Sequence, residues 1–423
     1  MPISTPADQA MSKAQHQDTD KRRAEAAPET ADADEKTPRP TVLQVLPALS
    51  TGGAERGTVQ VAAHLVASGW RALIASAGGP LAHEIERAGA EHITLPLDRR
   101  NPLAIQGNAG RLADLIEREN VDIVHARSRA PAWSAWRAAR RTGRHFVTTF
   151  HGTYNFNNPL KRRYNAIMVR GERVIAISDF IAEHIRAEYA VDRSRIRVIN
   201  RGVDIDIFDP AKVTTARMLQ IAERLRLPED RPVVLMPGRL TRWKGHSVFI
   251  DALARLGRQD VRAIIMGDDQ GRDGYRRALE ARVRTRGLES IVQFADHCAD
   301  MSAAFMFADV VVSASTDPEA FGRVLPEAQA MGRPVIGTDH GGPRHTVLTG
   351  ETNGARTGWL VPPGDPAALA AAIAEALDLT PAARQALADR AIAHVRANFT
   401  RDAMCARTLA VYEELLAGRP LDD

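Results

Sequence analysis

Twelve short apolar runs, separated by longer amphipathic segments, constrain the fold of this chain more than any other feature. Six runs precede residue 205 and six follow it, and each has the length of one β-strand. Continuous apolar runs flanked by helical patterns are typical of a parallel sheet covered by helices on both faces. The first series lies at 41–47, 71–77, 92–97, 122–127, 145–151 and 173–178, and the second at 232–238, 262–268, 291–297, 308–315, 333–339 and 358–364.

A break at NRGVDIDIFDP, residues 200–210, separates the two series. Two successive strand–helix series predict an α/β protein with two Rossmann-like, doubly wound domains, over 41–205 and 206–397. Residues 398–423 are predicted to form a C-terminal helix that packs back on the first domain. Because ligands bind at the carboxyl ends of the strands in such sheets, we expect the site in a central cleft that the two domains face.

Residues 1–40 differ in composition from the rest of the chain. They contain six Lys or Arg, eight Asp or Glu, and no aromatic residue. Such a segment cannot bury enough apolar surface to offset its ordering entropy, so we predict a disordered N-terminal tail. The whole chain of 423 residues is 44% hydrophobic and 26% charged, which excludes a mostly disordered protein or a collagen-like fibre.

Net charge, cysteine positions and apolar runs limit the partners and the compartment. The formal charge of 56 − 52 = +4 is too small by itself to indicate a nucleic-acid partner. Cys298 and Cys405 have no Cys or His at metal-ligand spacing, so both are predicted to be buried thiols. No run approaches the roughly 20 apolar residues of a membrane span, and the start lacks the apolar region of a secretory signal. We therefore expect a cytoplasmic protein.

The first strand-to-helix turn, PALSTGGAERG at 47–57, contains Gly52 and Gly53, and a helix is predicted from about Ala54. Glycines let a ligand approach the backbone closely, and a helix N-terminus favours an anionic phosphate. The turn lacks the G-x-G-x-x-G order of dinucleotide-binding proteins, which argues against NAD or FAD. A tight turn that serves only the fold is the alternative.

The second domain opens with a basic turn, PGRLTRWKGH at 237–246. Arg239 and Lys244 are predicted to converge on a diphosphate, because a planar guanidinium and a compact ammonium bind phosphate in complementary ways. Arg242 lies between them and is the weaker candidate. A solvated basic turn is the alternative.

The strongest signal is STDPEAFGRVLPEAQAMGRPVIGTDHGG at 315–342, in which Glu319 and Glu327 are eight residues apart. Pro326 is predicted to start a helix, which places Glu327 in its first turn and Glu319 on the preceding loop. Carboxylates suit sugar hydroxyls because they accept hydrogen bonds from two adjacent O–H groups. The alternative, a solvated face with a helix cap, is disfavoured by the surrounding glycines and prolines.

The backbone between the two carboxylates is a further candidate for ligand binding. Free N–H groups around Gly322, Val324 and Leu325 are expected to face a phosphate. Together with the carboxylates, this segment is predicted to bind a ligand that carries both sugar hydroxyls and phosphate.

This stretch resembles the E-x7-E signature of retaining nucleotide-sugar glycosyltransferases of the GT-B fold, family 4, also called glycosyl transferases group 1. The flanks agree: GG after the first strand, PGRL-x3-KG at the start of the second domain, and NRGVD near the hinge. The resemblance covers about 41–415. It implies transfer of a hexose from a UDP-, GDP- or ADP-linked sugar, bound mainly by the second domain. The acceptor, a glycan or a lipid-linked molecule, would bind the first domain.

Carried over residue by residue, the resemblance implies roles for both carboxylates and both cations. Glu327 would bind the ribose hydroxyls, and Glu319 would contact the donor sugar near the reacting carbon. Arg239 and Lys244 would clamp the diphosphate and stabilise charge on the departing group. Gly53 would contact the phosphates through its backbone.

Two further positions match family features that are less specific. His151, at the end of the fifth apolar run, matches a position where the family often has a His that faces the donor sugar. A packing histidine is the alternative. At the position of Asp268 the family often has a residue that contacts the nucleotide base, and Gln270 lies two residues later.

The sequence DID at 204–206 looks like the D-x-D motif that binds Mn²⁺ in the other major glycosyltransferase fold. Here it lies at the hinge rather than before a nucleotide loop, so Asp204 is interpreted as part of the NRGVD turn. Because Arg239 and Lys244 would supply the positive charge that a metal supplies elsewhere, we predict neither a divalent metal nor another cofactor.

The stretch from Arg127 to Arg173 is basic and aromatic, with eleven Lys or Arg, one acidic residue and seven aromatic residues. Such stretches suit anionic lipid surfaces or single-stranded nucleic acid. In an acceptor-binding domain, we favour an anionic or lipid-linked acceptor at the inner face of the inner membrane. By resemblance, the setting is lipopolysaccharide core or polysaccharide assembly. A solvated basic face over ordinary packing is the alternative.

Two other function classes stay open from the sequence. A nucleotide-sugar epimerase or hydrolase of the same fold needs no acceptor. A nucleic-acid-binding protein would use the basic stretch, but Glu319 and Glu327 argue against it because carboxylates facing a phosphate groove repel nucleic acid. A phosphorylase dependent on pyridoxal phosphate is disfavoured, because no Lys can be assigned as its Schiff-base residue.

Overall fold

The computed structural model describes residues 39–50, 52–154, 158–227, 230–271, 273–350 and 355–418. The predicted tail over 1–40 therefore lies outside the described residues, apart from Arg39 and Pro40. The aromatic residue Phe156 of the basic stretch also lies outside them.

The first domain is built on a seven-stranded parallel sheet with the order β3-β2-β1-β4-β5-β6-β7. Its strands are β1 Thr41–Val45, β2 Arg71–Ser76, β3 Glu91–Thr94, β4 Ile123–Ala126, β5 His145–Phe150, β6 Arg173–Ala176 and β7 Ile196–Val198. The six predicted strands of this domain are all present. The seventh was missed because it is a three-residue edge strand with a charged Arg197 at its centre, so its apolar run is broken.

Helices cover both faces of this sheet. They are α1 Gly53–Ala67, α2 Ala82–Arg87, α3 Pro102–Arg118, α4 Arg129–Thr142, α5 Pro159–Asn165 and α6 Asp179–Tyr189. Side chains alternate along β1, so Leu43 and Val45 enter one apolar cluster while Val42 enters the cluster on the opposite face. This two-faced burial explains why the strands read as continuous apolar runs.

The second domain has a six-stranded parallel sheet with the order β10-β9-β8-β11-β12-β13. Its strands are β8 Val233–Pro237, β9 Arg262–Met266, β10 Val292–Ala295, β11 Val310–Val312, β12 Val335–Thr338 and β13 Gly358–Val361. Its helices are α7 Thr215–Leu225, α8 His246–Leu256, α9 Asp273–Thr285, α10 Met301–Phe307, α11 Val324–Ala330, α12 Pro343–Thr346, α13 Pro366–Leu377 and α14 Pro381–Asn398, and α15 Arg401–Leu416 follows them in sequence. The prediction of two doubly wound parallel sheets is confirmed.

Several helices begin where a capping side chain is followed by proline. Each cap accepts a hydrogen bond from a backbone N–H of the first turn, and proline at the next position has no N–H to leave unpaired. Among the described α-helices, the pairs are Asn101–Pro102, Asn158–Pro159, Asp365–Pro366 and Thr380–Pro381.

The last helix, α15, follows the second domain in sequence but packs on the first sheet. Tyr412 Oη lies 2.6 Å from His125 Nδ1 on β4. Glu414 forms ion pairs with Arg173 on β6 and Arg197 on β7, at 2.9 and 2.6 Å. These polar contacts attach the C-terminal helix to three strands of the first domain, β4, β6 and β7.

The two segments that connect the domains run side by side. Val203 donates to Phe399 O at 2.7 Å and accepts from Arg401 N at 2.8 Å. A side chain at Gly202 would meet the Arg401 backbone, with Cβ 2.4 Å from Arg401 Cα, so glycine permits this close approach. The chain therefore leaves and re-enters the first domain at one place. In the part of the chain described above, no helix combines the length and apolar character that a bilayer span requires.

Candidate functional site

An ion pair joins Lys244 and Glu319, the two residues predicted to act on the diphosphate and on the donor sugar. Lys244 lies in the short 3-10 turn Arg242–Lys244 after β8, and Glu319 lies on the loop between β11 and α11. Lys244 Nζ lies 2.8 Å from Glu319 Oε1, with side-chain exposures of 14% and 11%. The same oxygen accepts from Ser313 Oγ at 3.0 Å and from Ser315 Oγ at 2.6 Å.

These contacts fix the charge of Glu319. Burial acts to raise the pKa of Glu319, but the Lys244 ammonium and the two serine hydroxyls outweigh it and hold this pKa below its ordinary value. The carboxylate is therefore ionised at neutral pH. Its three side-chain donors all bond Oε1, and the described residues place no donor on Oε2, which leaves that oxygen for a ligand hydroxyl.

Close backbone packing brings the basic turn against the loop that carries Glu319. Gly245 adopts φ +77°, and a Cβ there would lie 1.8 Å from Ala314 O. Thr316 N donates to Trp243 O at 2.7 Å across the same contact. The KG pair of the basic turn therefore has a structural reason: only glycine permits the approach that places Lys244 beside Glu319.

Sequence reasoning missed Arg323, which lies between the two signature carboxylates. Arg323 Nη2 lies 2.5 Å from Glu327 Oε1. The same guanidinium reaches α1 of the first domain, where its Nη1 lies 3.6 Å from the position of a Cβ built on Gly53. The position of a cation inside the E-x7-E segment could have indicated this residue, but the sequence alone did not show whether Arg323 would pair with Glu319 or Glu327.

The helix that carries Glu327 begins earlier than predicted. It starts at Val324 rather than Pro326, after Gly322 with φ +78°, and Glu327 is in its first turn as expected. The expectation of free N–H groups is corrected at Leu325, whose N–H donates to Gly322 O at 3.1 Å and whose side chain is fully buried.

The Gly52–Gly53 turn starts α1, with Gly52 as the N-cap and Gly53 as the first helical residue, one residue before the predicted start. The Glu55 side chain folds over Gly52 and accepts from Ser50 Oγ at 3.2 Å. From behind the turn, Arg201 Nη2 donates to the Gly53 carbonyl oxygen. The turn is thus held by side chains on both sides.

His151 directly follows β5 and lies near two buried cations. Burial first, and then the nearby Arg127 and Arg201, lower the pKa of His151 well below its ordinary value. The imidazole is therefore neutral at physiological pH, and its buried Nε2 has no partner among the described residues. Its backbone N–H donates to Tyr154 Oη at 3.1 Å. A neutral ring with an unused nitrogen can donate or accept one hydrogen bond.

Arg239 and Asp268 lie on neighbouring exposed loops, after β8 and β9. Leu240 N donates to Asp268 O at 3.0 Å, which joins the two loops. Asp268 Oδ1 accepts from Gln270 N at 2.7 Å, so this carboxylate shapes its own turn. The structure places both residues at the carboxyl edge of the second sheet, and their roles stay predictions.

A cleft of about 1250 Å³ lies beside Arg323 and Glu327. It runs along α1, faces the loop that follows β10, and ends at α15 and the hinge. Lys244, Glu319 and His151 are not among its lining residues. The two signature carboxylates therefore lie in different places, with Glu327 and its partner Arg323 in the open cleft and the Lys244–Glu319 pair in a more buried position.

Both aspartates of the DID motif form ion pairs. Asp204 Oδ2 lies 2.7 Å from Arg401 Nη1, and Asp206 Oδ1 lies 2.8 Å from Lys212 Nζ. Among the described residues, no three His, Cys, Asp or Glu side chains are grouped so that they could hold a metal ion. Cys298 and Cys405 are buried free thiols, as predicted.

The basic stretch is less exposed than the sequence suggested. Its two end residues, Arg127 and Arg173, are only 4% and 8% exposed, so the ends of the stretch do not contribute to an exposed basic surface, and the membrane surface stays a prediction. Part of the middle is used in stacking: Arg170 Cζ lies 4.5 Å from the ring centroid of Trp136, and Arg129 Cζ lies 4.3 Å from that of Tyr154.

Comparison with known proteins finds similar sequences over most of the described chain. Two family models match, Glycosyltransferase Family 4 over residues 51–207 and Glycosyl transferases group 1 over residues 219–394. The D-inositol 3-phosphate glycosyltransferase of Xylanimonas cellulosilytica is 33% identical over 316 residues, covering 71% of this chain and 73% of the relative.

Solved structures show the same architecture. A glycosyltransferase from Rickettsia africae has 37% sequence identity and a TM-score of 0.82, covering 90% of this chain and all of that one. Anabaena HepE in complex with UDP and glucose has 24% identity and a TM-score of 0.75, covering 88% of this chain and 99% of that one. The second likeness shows the fold, which is the two-domain GT-B fold expected from the sequence.

Proposed function

Because the chain belongs to the group 1 glycosyltransferases, we propose that it transfers a hexose from a nucleotide-diphosphate sugar to a glycan or lipid-linked acceptor and retains the anomeric configuration. The observation that carries the proposal is the buried Lys244–Glu319 pair, in which Glu319 belongs to the loop that leads to Glu327. HepE, which shares the fold, is bound to UDP-glucose in one structure, and this supports a nucleotide sugar as donor.

The charges fit the reaction. Breaking a sugar–phosphate bond develops positive charge on the ring and negative charge on the leaving diphosphate. A fixed ammonium such as Lys244 stabilises the leaving group, and the free Oε2 of Glu319 can accept from a sugar hydroxyl. Arg239 would add a guanidinium from the same turn. In this proposal the two cations meet the diphosphate charge, and no divalent metal is needed.

The acceptor is proposed to be anionic. Several curated relatives are named D-inositol 3-phosphate glycosyltransferases, and that name includes a phosphorylated acceptor. A phosphate-bearing or lipid-linked acceptor is consistent with a cytoplasmic enzyme of cell-surface polysaccharide or lipopolysaccharide core assembly, working at the inner face of the membrane.

Nucleoside diphosphates are expected to stabilise the protein without a metal. In a thermal-unfolding panel with UDP, GDP, ADP, CMP and NAD, one diphosphate at about 100 times its Kd should add roughly 2.7 kcal/mol, a Tm shift of several degrees. The shift should be the same with and without EDTA, because the charge partners are Arg239 and Lys244.

Two results of this panel would contradict the proposal. If no nucleoside diphosphate shifted the Tm, the proposal of a nucleotide-sugar donor would be wrong. A shift that EDTA abolishes and Mg²⁺ or Mn²⁺ restores would show that a metal, rather than the two cations alone, holds the diphosphate. CMP is the control that lacks the second phosphate, and NAD, which contains an ADP moiety, tests for a dinucleotide site.

A membrane-facing surface is also proposed, in a revised position. Leu103 and Leu160 are 86% and 79% exposed, the most exposed large apolar side chains of the described residues. They lie beside exposed basic residues, and we call the group the leucine–arginine surface. Its members are Leu103, Leu160, Arg99, Arg100, Lys161 and Arg163.

Hydrogen bonds join the two segments that carry these leucines to the same helix, α4. Ser134 Oγ donates to Ile105 O at 2.9 Å, next to the start of α3. Trp133 Nε1 donates to Tyr164 O at 3.2 Å, at the end of α5. Exposed leucines flanked by arginine and lysine suit an anionic bilayer surface, where apolar side chains insert and cations meet the headgroups.

The triple variant Leu160→Ser, Lys161→Ala and Arg163→Ala is expected to bind vesicles rich in anionic phospholipid at least about tenfold more weakly, since each basic residue near such a surface contributes about 1 kcal/mol. Vesicle sedimentation measures the effect. Arg162 is left in place because it donates to Glu188 O. The control is Leu219→Ser, an exposed leucine on α7 of the second domain. If the triple variant and wild type sedimented equally with anionic vesicles, the membrane proposal would be wrong.

A further inference from the structure

Two buried arginines lie behind the Gly52–Gly53 turn. Arg127, directly after β4, and Arg201, after β7, are each only 4% exposed. They line the same small interior cavity between the first sheet and α15. Arg201 Nη2 donates to Gly53 O, so the guanidinium contacts the first residue of α1 from inside the domain.

Neither guanidinium has a carboxylate partner. Within the described residues, no Asp or Glu forms an ion pair with Arg127 or Arg201, and Arg127 Nε has no hydrogen-bond partner. Glu55, whose carboxylate is in the first turn of α1, accepts from Ser50 Oγ instead. An unpaired buried cation is destabilising, so its presence beside the proposed phosphate site calls for a function.

Two cations of the second domain are already paired with carboxylates. Lys244 is paired with Glu319 at 2.8 Å, and Arg323 with Glu327 at 2.5 Å. Arg127 and Arg201, by contrast, have no carboxylate within ion-pair distance among the described residues, although Glu55 in the first turn of α1 acts on both at longer range. The α1 dipole adds positive potential at the same place, and a dianionic group there would balance it.

Helix α1 leaves space for the Arg201 guanidinium. Gly57 lies one turn after Gly53 inside α1, where glycine costs about 1 kcal/mol relative to alanine. A Cβ at Gly57 would lie 2.3 Å from Arg201 Nη1, so the missing side chain makes room for the arginine. Burial, with Arg323 and Arg127 nearby, lowers the pKa of Arg201 to about 9, and the group stays protonated at neutral pH.

We propose that Arg201, with Arg127 beside it, is a positioning residue for the leaving diphosphate of the donor. It holds the Gly53 turn through the carbonyl oxygen and supplies, from behind the turn, positive charge that the diphosphate neutralises. The inference rests on the proposed nucleotide-sugar donor and adds the first-domain half of the diphosphate site to it.

The test compares Arg201→Met with Arg173→Met. Arg173 is a matched control, because it is also a buried arginine of the first domain but is paired with Glu414 at 2.9 Å. Binding of UDP, GDP and ADP is measured beside that of the matching nucleosides, by titration calorimetry and by Tm shift. Arg201→Met should weaken the diphosphate that binds wild type by about tenfold or more and leave its nucleoside within about twofold. Its Tm without ligand should change little, because the lost hydrogen bond to Gly53 O is offset by the removal of an unpaired buried charge.

Arg173→Met should do the reverse, with a lower Tm and unchanged diphosphate affinity. Arg201→Lys, which keeps the charge, should recover most of the diphosphate affinity. If Arg201→Met weakens nucleoside and diphosphate alike, or retains full diphosphate affinity, the inference is wrong and Arg201 is structural. If wild type binds no diphosphate, the proposed function fails first and this inference fails with it.

Discussion

Replacing Lys244 by methionine is expected to lower kcat by about 10²–10³-fold, the usual cost of removing one preorganised group that stabilises transition-state charge. The ammonium is held 2.8 Å from Glu319, with 14% of its side chain exposed, so neither solvent nor a flexible neighbour can replace it. KM for the donor should change less than kcat, because leaving-group charge is largest in the transition state. Steady-state release of the nucleoside diphosphate measures both constants.

Arg242→Met is the matched control for this variant. Arg242 belongs to the same 3-10 turn, two residues away, but it is exposed and lies over the Tyr275 ring, 5.2 Å from the ring centroid. Its kcat should stay within about threefold of wild type. If the two variants lost activity equally, the turn as a whole, rather than the Lys244 ammonium, would be responsible.

The same Lys244 variant should change how stability depends on pH. In wild type the pKa of Glu319 is below its ordinary value, so its ionisation stabilises the fold above the ordinary pKa, and this contribution is lost as pH falls through the folded pKa. Without Lys244, burial raises that pKa instead, and the ionised carboxylate destabilises the fold. The Tm difference between wild type and variant should therefore widen as pH rises from about 3 to 7.

Replacing Gly245 by alanine is expected to cost roughly 2–5 kcal/mol of folding free energy, from left-handed backbone strain together with overpacking. Gly245 has φ +77°, and the added Cβ would lie 1.8 Å from Ala314 O. The backbone must shift, and the basic turn moves away from the Glu319 loop. A Tm fall of roughly 5–15 °C in thermal unfolding is expected, together with loss of transferase activity.

Gly257→Ala separates the clash from the strain. Gly257 ends α8, the helix that Gly245 precedes, and has a similar φ of +67°, but nothing lies within 4 Å of its Cβ position. Only the strain term should remain, about 1 kcal/mol, with activity retained. Equal destabilisation of the two variants would show that the contact with Ala314 does not constrain the site.

Much of the fold follows from the apolar runs, because strands buried on both faces leave a continuous local pattern. The prediction failed at β7, where Arg197 interrupts the run. The arginine is accommodated by Glu414, 217 residues away, and no local pattern shows such a partner. The strand depends on this long-range ion pair, so the local sequence pattern did not predict it.

The site was predictable in its residue types but not in its pairings. Lys244 and Glu319 were both singled out, yet nothing in their separation of 75 residues indicated a direct ion pair. Arg127 and Arg201 were harder still, because arginine is rarely buried without a partner and a basic sequence is normally interpreted as surface. Their position behind Gly53 depends on how β4, β7 and α1 converge, which only the fold determines.

The attachment of α15 to the first sheet has a consequence for biosynthesis. One face of that sheet is covered partly by Met404, Tyr412 and Leu415, which belong to the last helix of the described chain. On the ribosome, the first domain is made first but cannot cover that face until the second domain has been translated. The second domain is thus inserted within the first. The N-terminal core is therefore completed only after α15 has been made, so the first sheet to be synthesised stays partly uncovered while the second domain is translated.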